Sequence, residues 1–294
     1  MVFSLPSFAK INWTLRILGK RDDGFHELFT IFQTVSMYDR LTFSPAEHLS
    51  LTSNQPWMPL DGRNLVIKAA NALNKEVGGS FGAAIHLKKY IPSSGGLGGG
   101  SSNAAVALIG LRRLWRLDIS DERLISIAAE VGSDAPFFLI GGTARGAGRG
   151  ERLEMLDDIR AANMLIVTPR VRVSTRKAFA RLNAPALTSD ASERILSVSR
   201  NGADLIDPLR SELTNDFERS VFAAYPEIER VKQTLLDLGA VNAALSGSGA
   251  SIFAVFDKQE TRQAAEKALD HESIWRKFAV STISRREYRG ALGI

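Results

Sequence analysis

Residues Gly95 to Ala104 form a run of small residues whose composition and position suit phosphate binding. The run reads Gly-Gly-Leu-Gly-Gly-Gly-Ser-Ser-Asn-Ala and leads into an alanine-rich helical pattern, predicted from about Ser102 to Leu117. A helix N-terminus carries unpaired N–H groups and partial positive charge, and glycines remove the Cβ atoms that would hold an anion away. The run therefore predicts a seat for a polyphosphate nucleotide, with Ser101 and Ser102 capping the helix or touching a phosphate-bound Mg²⁺.

A glycine-rich segment is more often a linker or a turn, but the residues after this one argue against that interpretation. Residues 104–115 carry a broad apolar face that must be buried, whereas a linker is followed by polar sequence. The chain contains neither Gly-x-x-x-x-Gly-Lys-Ser/Thr nor Gly-x-Gly-x-x-Gly. The pattern thus indicates a phosphate site of another type.

Two charged residues, Lys10 and Asp134, could perform phosphoryl-transfer chemistry beside such a site. The reaction needs a cation near the phosphate and usually a carboxylate beside the accepting hydroxyl. Lys10 lies in an otherwise apolar strand pattern, and Asp134 lies in a turn of small residues. An edge-strand lysine and a plain helix N-cap are the open alternatives for the two residues. If they pair, the ammonium keeps the carboxylate ionised.

A second loop of small residues, Leu245 to Ser251, lies between two strand-like segments. It could supply further backbone donors to an anion, or it could only connect a hairpin. No rival chemistry stands out elsewhere, because the chain has no cysteine and its four histidines are dispersed.

Composition limits the class of protein further. A length of 294 residues favours two domains, which we place at residues 1–158 and 159–294. The lack of cysteine, of an 18-residue apolar window and of a leader pattern predicts a cytoplasmic protein. The net charge of +5 comes from scattered residues, so neither nucleic acid nor a membrane is an expected partner.

Hydrophobic patterns assign these residues to elements. Ala9 to Leu18 alternates with period two, which puts Lys10 and Asn12 on one face of a strand. Further strands are predicted over residues 25–37, 41–44, 49–52, 83–89, 143–147, 151–155, 164–167 and 278–284. Further helices are predicted over residues 64–77, 121–131, 175–182, 215–238 and 260–269. The stretch from Ala184 to Asp207 has the least pattern and is predicted to be a mobile excursion.

Three segments, in order and spacing, resemble the motifs of the GHMP kinases, a superfamily named for galactokinase, homoserine kinase, mevalonate kinase and phosphomevalonate kinase. They are Pro6 to Asn12, Pro92 to Ala105 with its glycine run, and Leu245 to Ala250. The resemblance covers essentially the whole chain. It implies an α+β, two-domain GHMP kinase fold with ATP and substrate in the cleft between the domains. The N-terminal domain would be like domain 2 of ribosomal protein S5, and the C-terminal domain would be ferredoxin-like.

Within that superfamily, the chain is similar to the 4-diphosphocytidyl-2-C-methyl-D-erythritol kinases of non-mevalonate (methylerythritol phosphate) isoprenoid biosynthesis. The similarity lies in Arg21 to Leu28, Asn64 to Val66, Gly98 to Asn103, Gly132 to Phe138 and Gly146 to Glu151. It implies a monomeric or weakly dimeric kinase that uses ATP with Mg²⁺ to phosphorylate the 2-hydroxyl of a cytidine-diphosphate sugar-alcohol. Another small-molecule kinase of mevalonate or homoserine type and a non-catalytic nucleotide-binding module are the alternatives.

The resemblance also implies roles for individual residues. Asp134 would be the catalytic base and Lys10 its cationic partner, while the metal ligands stay unknown. The ATP site would comprise Asn64, Pro92, Ser93, Ser94, Gly95, Gly96, Leu97, Gly98, Gly99, Gly100, Ser101 and Ser102. The substrate site would comprise Asn12, Phe25, His26, Thr175, Phe179, Gly247, Ser248 and Gly249. Phe25 and Phe179 would stack on the two faces of cytosine, with His26 at its edge. Phe25 stands where many members carry tyrosine.

Overall fold

The computed structural model of the protein describes residues 1–182, 184 and 206–294. Most of the excursion predicted over 184–207 lies outside the described residues. The first half of the chain builds one sheet from β1 (Phe3–Lys20), β2 (His26–Ser44), β3 (Leu49–Ser53), β4 (Ala83–Lys88), β5 (Thr143–Gly148) and β6 (Arg152–Met155). The strand order is β3-β4-β2-β5-β6, with β1 paired to β2. The helices α1 (Leu65–Glu76), α2 (Gly99–Trp115), α3 (Asp121–Val131) and α4 (Phe137–Ile140) share a core with this sheet.

The second half builds an antiparallel sheet in the order β10-β7-β9-β8. Its strands are β7 (Met164–Pro169), β8 (Asn242–Leu245), β9 (Ile252–Val255) and β10 (Trp275–Val280). Its helices are α5 (Thr175–Arg181), α6 (Glu218–Ala224), α7 (Pro226–Asp237) and α8 (Gln259–Ala268), followed by a 3₁₀ turn at Leu269–His271. The β-α-β-β-α-β order is the ferredoxin-like arrangement that the resemblance implied. The proposed domain boundary at 158/159 falls between β6 and β7.

Strand β1 lies between the two halves, and this position explains how its polar residues become buried. Its apolar face, with Ala9, Ile11 and Trp13, packs in a cluster with residues of β7, β9 and β10. Trp13 contacts Phe253 edge-on, with ring centroids 5.5 Å apart. The opposite face carries Lys10, which is only 3% exposed. A buried lysine needs polar partners, and these lie in the cavity described below.

Several elements differ from the sequence prediction. The strand predicted over 278–284 is Trp275–Val280, and β1 begins at Phe3 rather than Ala9. The two strands predicted over 25–44 are one strand, β2. Helix α2 begins at Gly99 rather than Ser102, because Gly98 takes a left-handed conformation (φ 67°) and serves as the N-cap without a side-chain bond. A final helix, α9 (Arg285–Leu292), was not predicted, although its capping box of Ser284 and Glu287 is visible in the sequence. None of the helices in the described part of the chain is long and apolar enough to cross a bilayer.

Candidate active site

A cavity of about 1030 Å³ is lined by residues from both halves of the chain. This volume is at the upper end of the range for small-molecule sites, which leaves room for more than one ligand. All the predicted site residues but two line it, and these are Lys10, Asn12, Phe25, His26, Asn64, Pro92, Ser93, Ser94, Gly95, Gly96, Leu97, Gly98, Gly99, Gly100, Ser101, Asp134, Thr175, Phe179, Gly247 and Ser248. The sequence motifs, far apart along the chain, therefore meet at one place.

The glycine loop before α2 is packed so closely that side chains have no room at several positions. A Cβ on Gly98 would lie 2.7 Å from the ring of Phe138 and 2.9 Å from Cγ of Lys10. The Lys10 N–H also donates to the carbonyl of Leu97 at 3.0 Å. The loop thus lies directly on β1, and the N-terminus of α2 opens into the cavity beside it. This arrangement presents bare backbone to a ligand, as phosphate binding requires.

The second small-residue loop is both a hairpin connection and a partner of the first loop. It joins β8 to β9, which pair antiparallel. Its N–H groups of Ala250 and Ser251 donate to the carbonyls of Ser94 and Gly95, both at 3.0 Å. Ser246 adds a bond from its hydroxyl to the Gly96 carbonyl at 3.0 Å. The loop therefore closes the hairpin and braces the glycine loop, and its N–H groups of Ala250 and Ser251 bond to that loop rather than to an anion.

Lys10 and Asp134 form an ion pair in the cavity. Lys10 Nζ lies 3.4 Å from Asp134 Oδ2, and the two side chains are 4% and 33% exposed. Lys10 Nζ also donates to Asn12 Oδ1 at 2.7 Å, and the Asn12 amide donates to Thr30 Oγ1 at 2.7 Å. Burial rules out a solvent-facing edge lysine. Asp134 is not a helix N-cap either, because that position before α4 belongs to Pro136. The partly open carboxylate can meet a ligand.

The far end of the cavity carries the aromatic residues that the resemblance assigned to a base. The His26 and Phe179 rings contact each other at 5.0 Å and 31°, and Phe179 packs edge-on against Phe217. Phe25 is half exposed and contacts the guanidinium of Arg149 at 4.8 Å. Burial, with a smaller contribution from Lys20, holds the pKa of His26 below its ordinary value. A neutral imidazole offers one donor and one acceptor to a ligand.

Two predicted site residues, Ser102 and Gly249, do not line the cavity. Because α2 begins at Gly99, the N–H of Ser102 is already bonded to the Gly98 carbonyl. Its fully buried hydroxyl is bonded to Ser7 Oγ at 2.7 Å. Ser102 therefore has no free donor for a phosphate. Gly249 faces apolar side chains instead, since a Cβ on it would meet Leu245 first, at 3.2 Å.

A buried carboxylate that sequence reasoning missed, Asp39, anchors the chain before the glycine loop. Its oxygens accept bonds from the N–H groups of Tyr90 and Ile91, at 2.6 and 2.8 Å, and from the Asn103 amide at 2.9 Å. It also pairs with Lys89, which lines the cavity. Burial lowers the pKa of Lys89, and the Asp39 carboxylate opposes that shift. A single aspartate between Tyr38 and Arg40 gave no sequence signal for this role.

Replacing Asp39 with asparagine should lower the free energy of unfolding by about 3–5 kcal/mol, because four donors would then face an amide at a fully buried position. Urea denaturation measures the change. Glu154→Gln is the matched control: Glu154 is 60% exposed and pairs with Arg145, so its loss should change stability by at most about 0.5 kcal/mol. Equal small effects of both variants would contradict the anchoring role.

Comparison with known proteins places this geometry in context. Residues 64–142 match the family described as GHMP kinases N terminal domain, and residues 196–273 match GHMP kinases C terminal. The chain is 35% identical over 260 residues to a 4-diphosphocytidyl-2-C-methyl-D-erythritol kinase of Caldanaerobacter subterraneus subsp. tengcongensis, covering 88% of this chain and 90% of the relative. It is 40% identical over 276 residues to the protein of that name in Chlorobium phaeobacteroides, covering 91% and 94%.

Solved structures agree with these sequence matches. A crystal structure of 4-(cytidine 5'-diphospho)-2C-methyl-D-erythritol kinase superposes with a TM-score of 0.75 at 31% identity, covering 95% of this chain and 99% of that one. A homoserine kinase from Cytophaga hutchinsonii superposes with a TM-score of 0.72 at 24% identity, covering 96% and 95%. The second likeness is one of fold alone.

Proposed function

Because the chain belongs to the GHMP kinase family, and within it to the 4-diphosphocytidyl-2-C-methyl-D-erythritol kinases, we propose that it transfers the γ-phosphoryl group of ATP to the 2-hydroxyl of 4-diphosphocytidyl-2-C-methyl-D-erythritol. The observation that carries the proposal is the Lys10–Asp134 pair, 3.4 Å apart in a cavity that the glycine loop also lines. Phosphoryl transfer needs this combination of an anion seat, a cation and a carboxylate.

The mechanism divides the work between these groups. The backbone from Gly95 to Ser101 holds the ATP phosphates at the start of α2. Asp134 orients the 2-hydroxyl and receives its proton as the hydroxyl oxygen bonds to the γ-phosphorus. The bond from that phosphorus to the β,γ-bridging oxygen breaks, and ADP leaves. Lys10, fixed by Asn12, neutralises charge on the transferred group and forms an ion pair with Asp134.

Mg²⁺ suits this site as an ion bound mainly by the phosphates of the nucleotide rather than by a cage of protein side chains. No group of three or more histidine, aspartate or glutamate side chains that could hold a metal occurs among residues 1–182, 184 and 206–294. Mg²⁺ commonly takes one or two protein ligands together with phosphate oxygens and water. Ser101 and Asp134 both line the cavity and offer oxygen atoms for that purpose. When bound, the ion would neutralise phosphate charge.

The acceptor is tested by comparing kcat/KM for the cytidylated alcohol with that for mevalonate, homoserine and galactose. We expect turnover of the cytidylated alcohol alone. The aromatic residues at the far end of the cavity suit a base, and mevalonate, homoserine and galactose have none. Phe179→Ala should raise KM for the cytidylated substrate roughly 10-fold, while KM for ATP stays unchanged, since an aromatic base contact contributes about 1–3 kcal/mol. Equal or better turnover of a rival acceptor would overturn the assignment in favour of another GHMP kinase.

A further inference from the structure

The turn between β5 and β6 carries an arginine, Arg149, into the cavity. Its guanidinium lies 4.8 Å from the centre of the Phe25 ring, and its side chain is 34% exposed. The nearest carboxylate is that of Glu151, with 3.9 Å between Arg149 Nε and Glu151 Oε1. This distance is too long for a hydrogen bond. Within the described part of the chain, no hydrogen bond from the guanidinium is formed, so its planar fork is available to a ligand.

Arg149 lies between the two ends of the acceptor site. On one side is Phe25, which its guanidinium contacts. On the other side, the neighbouring Gly150 lies close to Asp134, since a Cβ placed on Gly150 would lie 3.6 Å from Asp134 Oδ1. A substrate with its base at Phe25 and its hydroxyl at Asp134 must run past Arg149. In a cytidine-diphosphate sugar-alcohol, the part that joins those two ends is the diphosphate.

A buried carboxylate holds this arrangement in place. Glu27 accepts the N–H of Gly148 at 3.0 Å and a bond from Arg21 Nη1 at 2.9 Å, and it pairs with Arg152. It thus ties the loop before β2 to the turn that carries Arg149.

The same network fixes Phe25 from the other direction. Arg21 also bonds to Asp23 at 3.1 Å, and Asp23 accepts the N–H of Phe25 at 3.0 Å. The backbone of Phe25 and the turn that carries Arg149 are therefore joined before a ligand binds, which lowers the entropy cost of binding.

The charge balance of this end also favours a dianionic group. Lys20 and Arg176 also line the cavity, and among described lining residues the only carboxylate is Asp134, which is paired with Lys10. Arginine binds phosphate oxygens through two parallel N–H bonds, which a lysine cannot form.

We propose that Arg149 binds the diphosphate of the acceptor and so selects a nucleoside-diphosphate acceptor over an uncharged alcohol. The proposal rests on the proposed function, whose substrate it specifies in more detail. It assigns Arg149 two contacts, with the Phe25 ring and with the phosphate oxygens, and only the second depends on charge in the ligand.

The test is calorimetric titration of CDP, of cytidine and of a non-hydrolysable ATP analogue into the whole protein and two variants. Arg149→Gln should weaken CDP binding roughly 10- to 100-fold, as expected for lost charge-assisted bonds. Cytidine binding should fall by at most about 5-fold, the share of the ring contact. Binding of the ATP analogue should not change. Arg145→Gln, on the same hairpin but away from the cavity, should bind all three ligands like the wild type.

Equal losses of CDP and cytidine affinity would overturn the proposal, because Arg149 would then only support Phe25. Wild-type CDP binding by the Arg149→Gln variant would overturn it as well. Failure of the proposed function is distinguishable. If CDP binding depends on Arg149 but the cytidylated alcohol is not phosphorylated, the diphosphate site stands and the proposed reaction falls.

Discussion

Replacing Asp134 with asparagine should lower kcat by roughly 10²-fold or more while leaving ATP affinity near that of the wild type. The amide keeps the size of the side chain but cannot accept the hydroxyl proton, and it no longer pairs electrostatically with Lys10. The Lys10 side chain keeps its bond to Asn12, so the cavity should hold its shape. Steady-state kinetics with the cytidylated alcohol give kcat, and titration with a non-hydrolysable ATP analogue gives the affinity.

Asp121→Asn is the matched control for that variant. Asp121 is 61% exposed at the start of α3, where it pairs with Arg112, and it does not line the cavity. Its substitution should leave kcat unchanged. Normal turnover by Asp134→Asn would show that Asp134 is not the base. Absence of turnover in the wild type, with ATP still bound, would instead favour a non-catalytic nucleotide-binding module.

Gly96→Ala should lower both stability and ATP affinity, because this glycine is where the two small-residue loops meet. A Cβ at Gly96 would lie 1.8 Å from the carbonyl oxygen of Ser246, and the residue has φ +75°. Left-handed backbone costs an alanine about 1–2 kcal/mol, and separating the loops breaks hydrogen bonds that contribute about 1 kcal/mol each. We expect the free energy of unfolding to fall by about 2–4 kcal/mol and ATP affinity to fall at least roughly 10-fold.

Gly290→Ala provides the control for the glycine substitution itself. Gly290 lies in helix α9 with no atom within 4 Å of its Cβ position. Alanine there should raise the free energy of unfolding by about 0.5–1 kcal/mol through helix propensity. Urea denaturation and titration with the ATP analogue report both quantities. A Gly96→Ala variant with wild-type stability and affinity would refute the close packing of the two loops.

Local patterns in the sequence predicted most of the elements. The alternation in β1, the N-cap of α5 at Ser174 and the break near Pro226 between α6 and α7 all follow from rules that act over a few residues. The same rules failed at the start of α2, where Gly98 rather than a serine became the N-cap. The left-handed conformation of Gly98, which its close packing requires, outweighed the preference of serine side chains for the N-cap position.

The sequence by itself determined which residue types were available: a glycine-rich anion site, one lysine on a strand and one aspartate in a turn. The resemblance of its motifs to those of a known family then indicated a kinase. Only the tertiary structure decided how they meet. Burial of Lys10 in the cavity, the buried anchor Asp39 and the position of Arg149 against Phe25 each depend on residues distant in sequence. Such contacts follow from the packing of whole sheets. No short sequence pattern encodes them, because the free energy that stabilises them comes from burial of apolar surface across both halves of the chain.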